Sequence, residues 1–118
     1  MTTHAERLAE LDRLVQLSIH ATPGPWTLLS PSAEERVILD VATGARLVLT
    51  PDPQMTDDFE PNAEFIVAAR TAVPELARKV RGMLIVHQPV SETGEPPICR
   101  TCSMVWPCDT ARICGVTE

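Results

Sequence analysis

Four cysteines crowd the C-terminal end of this 118-residue chain: Cys99, Cys102, Cys108 and Cys114, spaced C-x2-C-x5-C-x5-C. A C-x2-C pair can place two thiolates on one side of a tight turn, as two corners of a tetrahedron. Such a set suits a structural zinc ion, which takes four nitrogen or sulfur ligands in a closed site. Cys99, Cys102 and Cys108 are the primary candidates. The fourth ligand has two. Cys114 lies about one and a half turns into a short helix predicted after Cys108, and can fold back over it. His87 ends the preceding helix and would staple the metal knot to the rest of the chain. The sequence favours Cys114, because a lone histidine on an apolar helical face is more often a core residue.

Other chemistries compete for the same thiols. An iron–sulfur cluster accepts four cysteines. Free buried thiols, or disulfides in an exported protein, are the plain alternatives. A catalytic zinc needs an open position and a nearby general base. Asp109 is the acid within reach, and Asp109 or Thr110 is better explained as a helix cap, with Cys108 just before the helix. Metal ligation also answers a stability problem. The tail offers few large apolar groups beyond Ile98, Met104, Val105, Trp106 and Ile113. These are too few to offset the entropy of ordering it, and ligation couples binding to folding. Trp106 is expected to attach the knot to the helix over residues 73–84.

The elements that position these residues follow from periodicity. Residues 3–20 predict an amphipathic helix, with Thr3 and Glu6 as a capping box and Leu8, Leu11, Val15 and Ile19 as its stripe. The turn Ala21-Thr22-Pro23-Gly24-Pro25 stops it and aims Trp26 into the core, or else is presented to a partner. Residues 26–29, 36–41 and 45–50 predict short strands, the last two joined as a hairpin at Thr43-Gly44. Residues 51–61 form a polar, proline-broken loop. A helix resumes at Asn62, with Phe65, Ile66 and Ala69 as its face. Thr71 is expected to cap a further helix with Pro74 in its first turn. Val73, Leu76, Ala77, Val80, Met83 and Leu84 are its expected core. The fold class is α+β: an N-terminal helix, a small antiparallel sheet, two further helices and a C-terminal zinc knot. The organisation reads as an α+β domain at 1–87, a linker at 88–97 and a metal-binding tail at 98–118 packed on the domain.

Composition bounds the function. The formal net charge is −6, with twelve acids and five bases in residues 1–75. Such a chain repels phosphate backbones, which disfavours nucleic-acid coating. No apolar run is long enough to span a membrane, and no signal peptide is visible at the start. The expectation is a cytoplasmic protein, where thiols stay reduced and clustered cysteines read as metal ligands. The stripe of the first helix could equally close a homodimer. There is no P-loop, dinucleotide fingerprint or nucleophile elbow, so no catalytic residue is assigned.

Two segments carry a resemblance. Ala21-Thr22-Pro23-Gly24-Pro25-Trp26 followed by a β segment, and then Asn62-Ala63-Glu64-Phe65-Ile66-Val67-Ala68-Ala69-Arg70 with Val73-Pro74 and Leu76, resembles the Ead-like early proteins of tailed phages and prophages. The resemblance covers about residues 8–86. The tail, Cys99-x2-Cys102 with Trp106-Pro107-Cys108-x-Thr110-x-Arg112, is similar to that of small uncharacterised proteins of actinobacteria and their phages. Those tails frequently lack a counterpart of Cys114, which raises the claim of His87. The resemblance implies a non-essential phage accessory or host-interaction protein without catalytic residues. It would act by binding another protein through its acidic N-terminal two thirds, with zinc purely structural. A zinc-containing nucleic-acid-binding regulator, using Arg78, Lys79, Arg81, Arg100 and Arg112, is the second reading. A zinc-dependent enzyme is the third.

Overall fold

A capping box starts the first helix, α1 (His4–His20). The Thr3 amide donates to the Glu6 carboxylate at 2.9 Å, and the Glu6 amide donates to the Thr3 hydroxyl at 3.1 Å. The computed structural model describes residues 1–29, 37–48 and 59–118. After α1 come β1 (Trp26–Leu29), β2 (Val37–Asp40), β3 (Arg46–Val48), α2 (Phe59–Val86), β4 (Pro89–Val90), β5 (Ile98–Cys99) and α3 (Asp109–Ile113). Strands β1, β2 and β3 form one antiparallel sheet in that order, and β4 pairs with β5 in a second. The α+β class holds. Among the described residues, no helix is long and apolar enough to cross a membrane.

Two compact units emerge: Met1–Gln16 with Glu75–Glu118, and Leu17–Pro74. These boundaries differ from the expected 1–87, 88–97 and 98–118. The segment read as a linker at 88–97 contains strand β4 and the turn leading to β5.

In the unit Leu17–Pro74, β2 is the central strand, and Val37, Ile38 and Asp40 are buried on it. It pairs with β1 on one side (Trp26 opposite Asp40, Leu29 opposite Val37) and with β3 on the other. The Thr43-Gly44 turn forms as expected, with Gly44 at φ 70°, a left-handed position that favours glycine. Asp40 organises that turn. The Thr43 hydroxyl donates to its carboxylate at 2.6 Å and the Ala42 amide at 3.1 Å, and together they hold its carboxyl below the usual carboxylate range. The proline turn meets α2. The Thr22 carbonyl accepts from the Trp26 indole at 3.2 Å and from the Arg70 guanidinium at 3.0 Å. Arg70 also lies 5.5 Å from the Trp26 ring centroid, in cation–π range. A β-carbon at Gly24 would sit 3.1 Å from Arg70 Cγ, so a larger residue there would push the Arg70 side chain by a few tenths of an ångström. Trp26 is thus half-buried beneath Arg70. Arg36, Leu49, Thr50 and residues 51–58 of the expected strands and loop lie outside the described residues.

One expectation about the helices is corrected. Residues 59–86 form a single helix, with Pro74 inside it, rather than two helices separated at Thr71. Proline lacks the amide that would bond four residues back, which costs the helix one hydrogen bond. Burial of Pro74 on the apolar stripe with Ala77 and Leu84 offsets part of that loss. The same stripe leaves Val73, Leu76 and Met83 exposed, contrary to expectation.

In the other unit, Leu11 of α1, Ala77 and Leu84 of α2, and Cys99, Cys108, Ala111, Cys114 and Val116 of the C-terminal segment form one core. Leu8, Val15, Val80 and Trp106 pack against it. Ile19, expected on the α1 stripe, is exposed. Polar ties join the same elements: Arg81 pairs with Asp12, and His4 Nε2 lies 2.7 Å from the Leu84 carbonyl oxygen. The chain ends are stitched together, since the Thr117 amide donates to the Thr2 carbonyl at 2.8 Å and the Thr2 amide to the Thr117 hydroxyl at 2.7 Å.

A candidate metal centre

Four side chains converge at the C-terminal end of α2. The ligand atoms of His87, Cys99, Cys102 and Cys108 all lie within 4.8 Å of one another, an arrangement that can hold a metal ion. Each arrives by a different local device. His87 follows the last residue of α2, and its amide still bonds the Met83 carbonyl at 2.8 Å. Its Nδ1 faces the sulfurs, 3.4 Å from Cys99 Sγ and 3.6 Å from Cys108 Sγ. Cys99 is the second residue of β5 and is fully buried. Cys102 lies on the turn after β5 and is exposed. That turn is closed by the Ser103 amide donating to the Cys99 carbonyl at 2.9 Å, with Ser103 in the left-handed region at φ 59°. The chain then pairs back on β5. The Cys99 amide donates to the Met104 carbonyl at 2.8 Å, and the Trp106 amide to the Pro97 carbonyl at 3.0 Å.

Cys108 is itself the N-cap of α3, the position expected for Asp109 or Thr110. Its extended backbone leads into the helix, and its Sγ accepts from the Ala111 amide at 3.5 Å. The positive end of the helix backbone therefore faces a ligand sulfur, which favours thiolate.

The electrostatics of the cluster are those of sulfurs forced together. Burial opposes ionisation of Cys99. Hydrogen bonds from the Cys102 and Thr101 backbone, and from the Cys102 and His87 side chains, outweigh it and bring the thiol down to about 6. Cys108 moves the other way, raised by burial and by the neighbouring Cys99 and Cys102. One thiolate thus forms readily and resists a second beside it. A bound cation removes that conflict.

The structure brings together Cys99, Cys102 and Cys108, as the spacing indicated, and adds His87. It does not bring Cys114 to them. Helix α3 ends in a Schellman stop, with the Val116 amide donating to the Ala111 carbonyl at 3.0 Å and the Gly115 amide to the Arg112 carbonyl at 2.9 Å. Gly115 sits at φ 95° and Val116 is buried. Cys114 is the C-cap of that helix, buried in the apolar core, where burial raises its thiol. Its carbonyl accepts from Arg7 Nε at 2.7 Å. Asp109, weighed as a catalytic acid, is the exposed first residue of α3. Trp106 packs against the core that contains Leu84, as expected. It is also edge-on to His4 at 5.4 Å between centroids, a contact with no sequence signal. No family model, curated protein or solved structure matches the chain.

Proposed function

We propose that this chain is a small phage or prophage accessory protein that acts by binding another protein in the host cytoplasm, with one structural zinc ion held by His87, Cys99, Cys102 and Cys108. The spacing of the ligand atoms carries the metal reading. A tetrahedral zinc with sulfur at about 2.3 Å and nitrogen at about 2.05 Å separates a sulfur from the nitrogen by about 3.6 Å. The two sulfur–nitrogen distances here are 3.4 and 3.6 Å. Zinc in this place joins the end of α2 to β5, the following turn and the N-cap of α3, so its work is mechanical. Four protein ligands fill a tetrahedron and leave no position for a reacting water, which weighs against an enzyme. The nucleic-acid reading is weakened by the pairing of two of its five cations. Lys79 bonds Glu75 at 2.9 Å and Arg81 bonds Asp12. The phage assignment rests on the sequence resemblance, whose two segments meet at Trp26 and Arg70.

X-ray absorption at the metal edge tests the ligand set. Three sulfurs at about 2.3 Å and one nitrogen at about 2.0–2.1 Å around zinc are expected. Four sulfurs would overturn the role of His87, and iron with bridging sulfide would replace zinc by a cluster. Binding to DNA or RNA that weakens steeply with salt would instead revive the regulator.

A further inference from the structure

The hairpin that carries Cys99 has a second face. Residues directly opposite one another in antiparallel strands project from the same side of the sheet, and successive residues alternate sides. Val90 lies opposite Ile98, and Ile98 opposite Val105. These three aliphatic side chains therefore form a row on the side away from buried Cys99. All three are exposed, Val105 by 70%. Beside the row is a groove of about 370 Å³ lined by Val90, Ser91, Glu92, Glu95, Pro96 and Ile98.

The backbone at Val105 is also open. The hydrogen bonds Cys99 to Met104 and Trp106 to Pro97 bracket the Ile98–Val105 pair, which makes it a non-hydrogen-bonded pair. In that arrangement the N–H and C=O of Val105 point away from β5. Among the described residues neither has a partner. A donor, an acceptor and an aliphatic row thus lie at one exposed sheet edge, with two carboxylates on the groove beside it.

We propose that this edge docks an extended segment of a partner protein, which pairs with the Val105 backbone, lays an apolar side chain on the Val90–Ile98–Val105 row and directs a Lys or Arg to Glu92 and Glu95. This deepens the protein-binding reading above and rests on it. The acids select the occupant. They repel nucleic acid and anionic lipid, and a two-fold dimer through this face would set its acidic rim against itself. An extended peptide meets all the remaining requirements, since strand addition draws affinity from main-chain bonds and specificity from alternate side chains.

The test is selection of random heptapeptides displayed against the zinc-loaded protein, followed by titration of the enriched peptides. Metal content, read by native mass spectrometry on the same sample, reports the metal reading separately. Enriched peptides are expected to carry a large apolar residue within two positions of Lys or Arg. They should bind Val105→Lys at least tenfold more weakly, and E92K/E95K should shift enrichment toward acidic peptides. Both sites are exposed, and the variants should keep their metal. Zinc-loaded protein that enriches no peptide, or peptides that bind these variants as well as wild type, would overturn the proposal. So would a dimer that Val105→Lys dissociates, which would make a second copy the occupant.

Discussion

Replacing His87 and Cys114 separately by alanine distinguishes the two candidate fourth ligands. Structural zinc binds with about 10–16 kcal/mol in small domains, so loss of one of four ligands costs roughly 2.5–4 kcal/mol. At about 1.4 kcal/mol per factor of ten, zinc affinity of His87→Ala falls about 60- to 700-fold. Cys114 lies outside the ligand cluster, at the C-cap of α3 and buried beside Leu11, Leu84 and Val116. Cys114→Ala leaves zinc affinity within about threefold of wild type and lowers stability by about 1 kcal/mol, the scale of one small group removed from a core. Competition with a chromophoric chelator at neutral pH measures the affinities, and denaturant unfolding of the zinc-loaded proteins measures stability. A Cys114→Ala protein that releases zinc while His87→Ala retains it would refute the ligand assignment and restore the spacing-based choice.

Three further outcomes are expected. Arg7→Ala removes the charged donor to the Cys114 carbonyl at the end of α3 and lowers stability by about 1–2 kcal/mol in denaturant unfolding. Its exposed pair with Glu10 adds little, and unchanged stability would sink the capping role. Ser103→Gly relieves the left-handed backbone at φ 59° on the turn that carries Cys102, and raises stability of the zinc-loaded protein by up to about 1 kcal/mol. A loss of stability would contradict that. The Asp40 carboxyl is held below its ordinary value by Thr43 and Ala42. Its contribution is therefore complete above the unfolded value and lost as pH falls through the folded one. Hydrogen exchange at the amides of β2 and β3 should show protection falling in acid in wild type, and a flatter dependence in Asp40→Asn; equal slopes would remove Asp40 as the cause.

The sheet was legible in the sequence because its signals are local. Val37-Ile38-Leu39 is an aliphatic run followed by a Thr43-Gly44 turn, and the observed β2–β3 hairpin follows from chemistry within a dozen residues. The capping box at Thr3 and Glu6 was legible for the same reason. At Pro74 local signals point to a new helix, because proline is favoured in a first turn and costly inside a helix, yet α2 runs through it. The choice depends on whether its ring is buried, which is set by packing. At the candidate metal centre, the C-x2-C spacing points to Cys99 and Cys102, since both lie on one turn. The fourth candidate is a long-range matter: His87 joins the cluster because the turn after β5 is tied to the end of α2. A local signal against Cys114 was nonetheless present. Cys114-Gly115-Val116 reads as a helix stop, with glycine in the left-handed position and an apolar residue after it, and such a stop holds Cys114 at the far end of α3 from Cys108.

Native mass spectrometry of the purified protein, before and after a strong chelator and with elemental analysis of the metal, tests the central claim most directly. One zinc per chain is expected, with folded charge states lost on chelation because the proposed ion would join α2, β5 and α3. Protein that carries no metal and presents four free thiols while keeping its folded charge states would contradict the account.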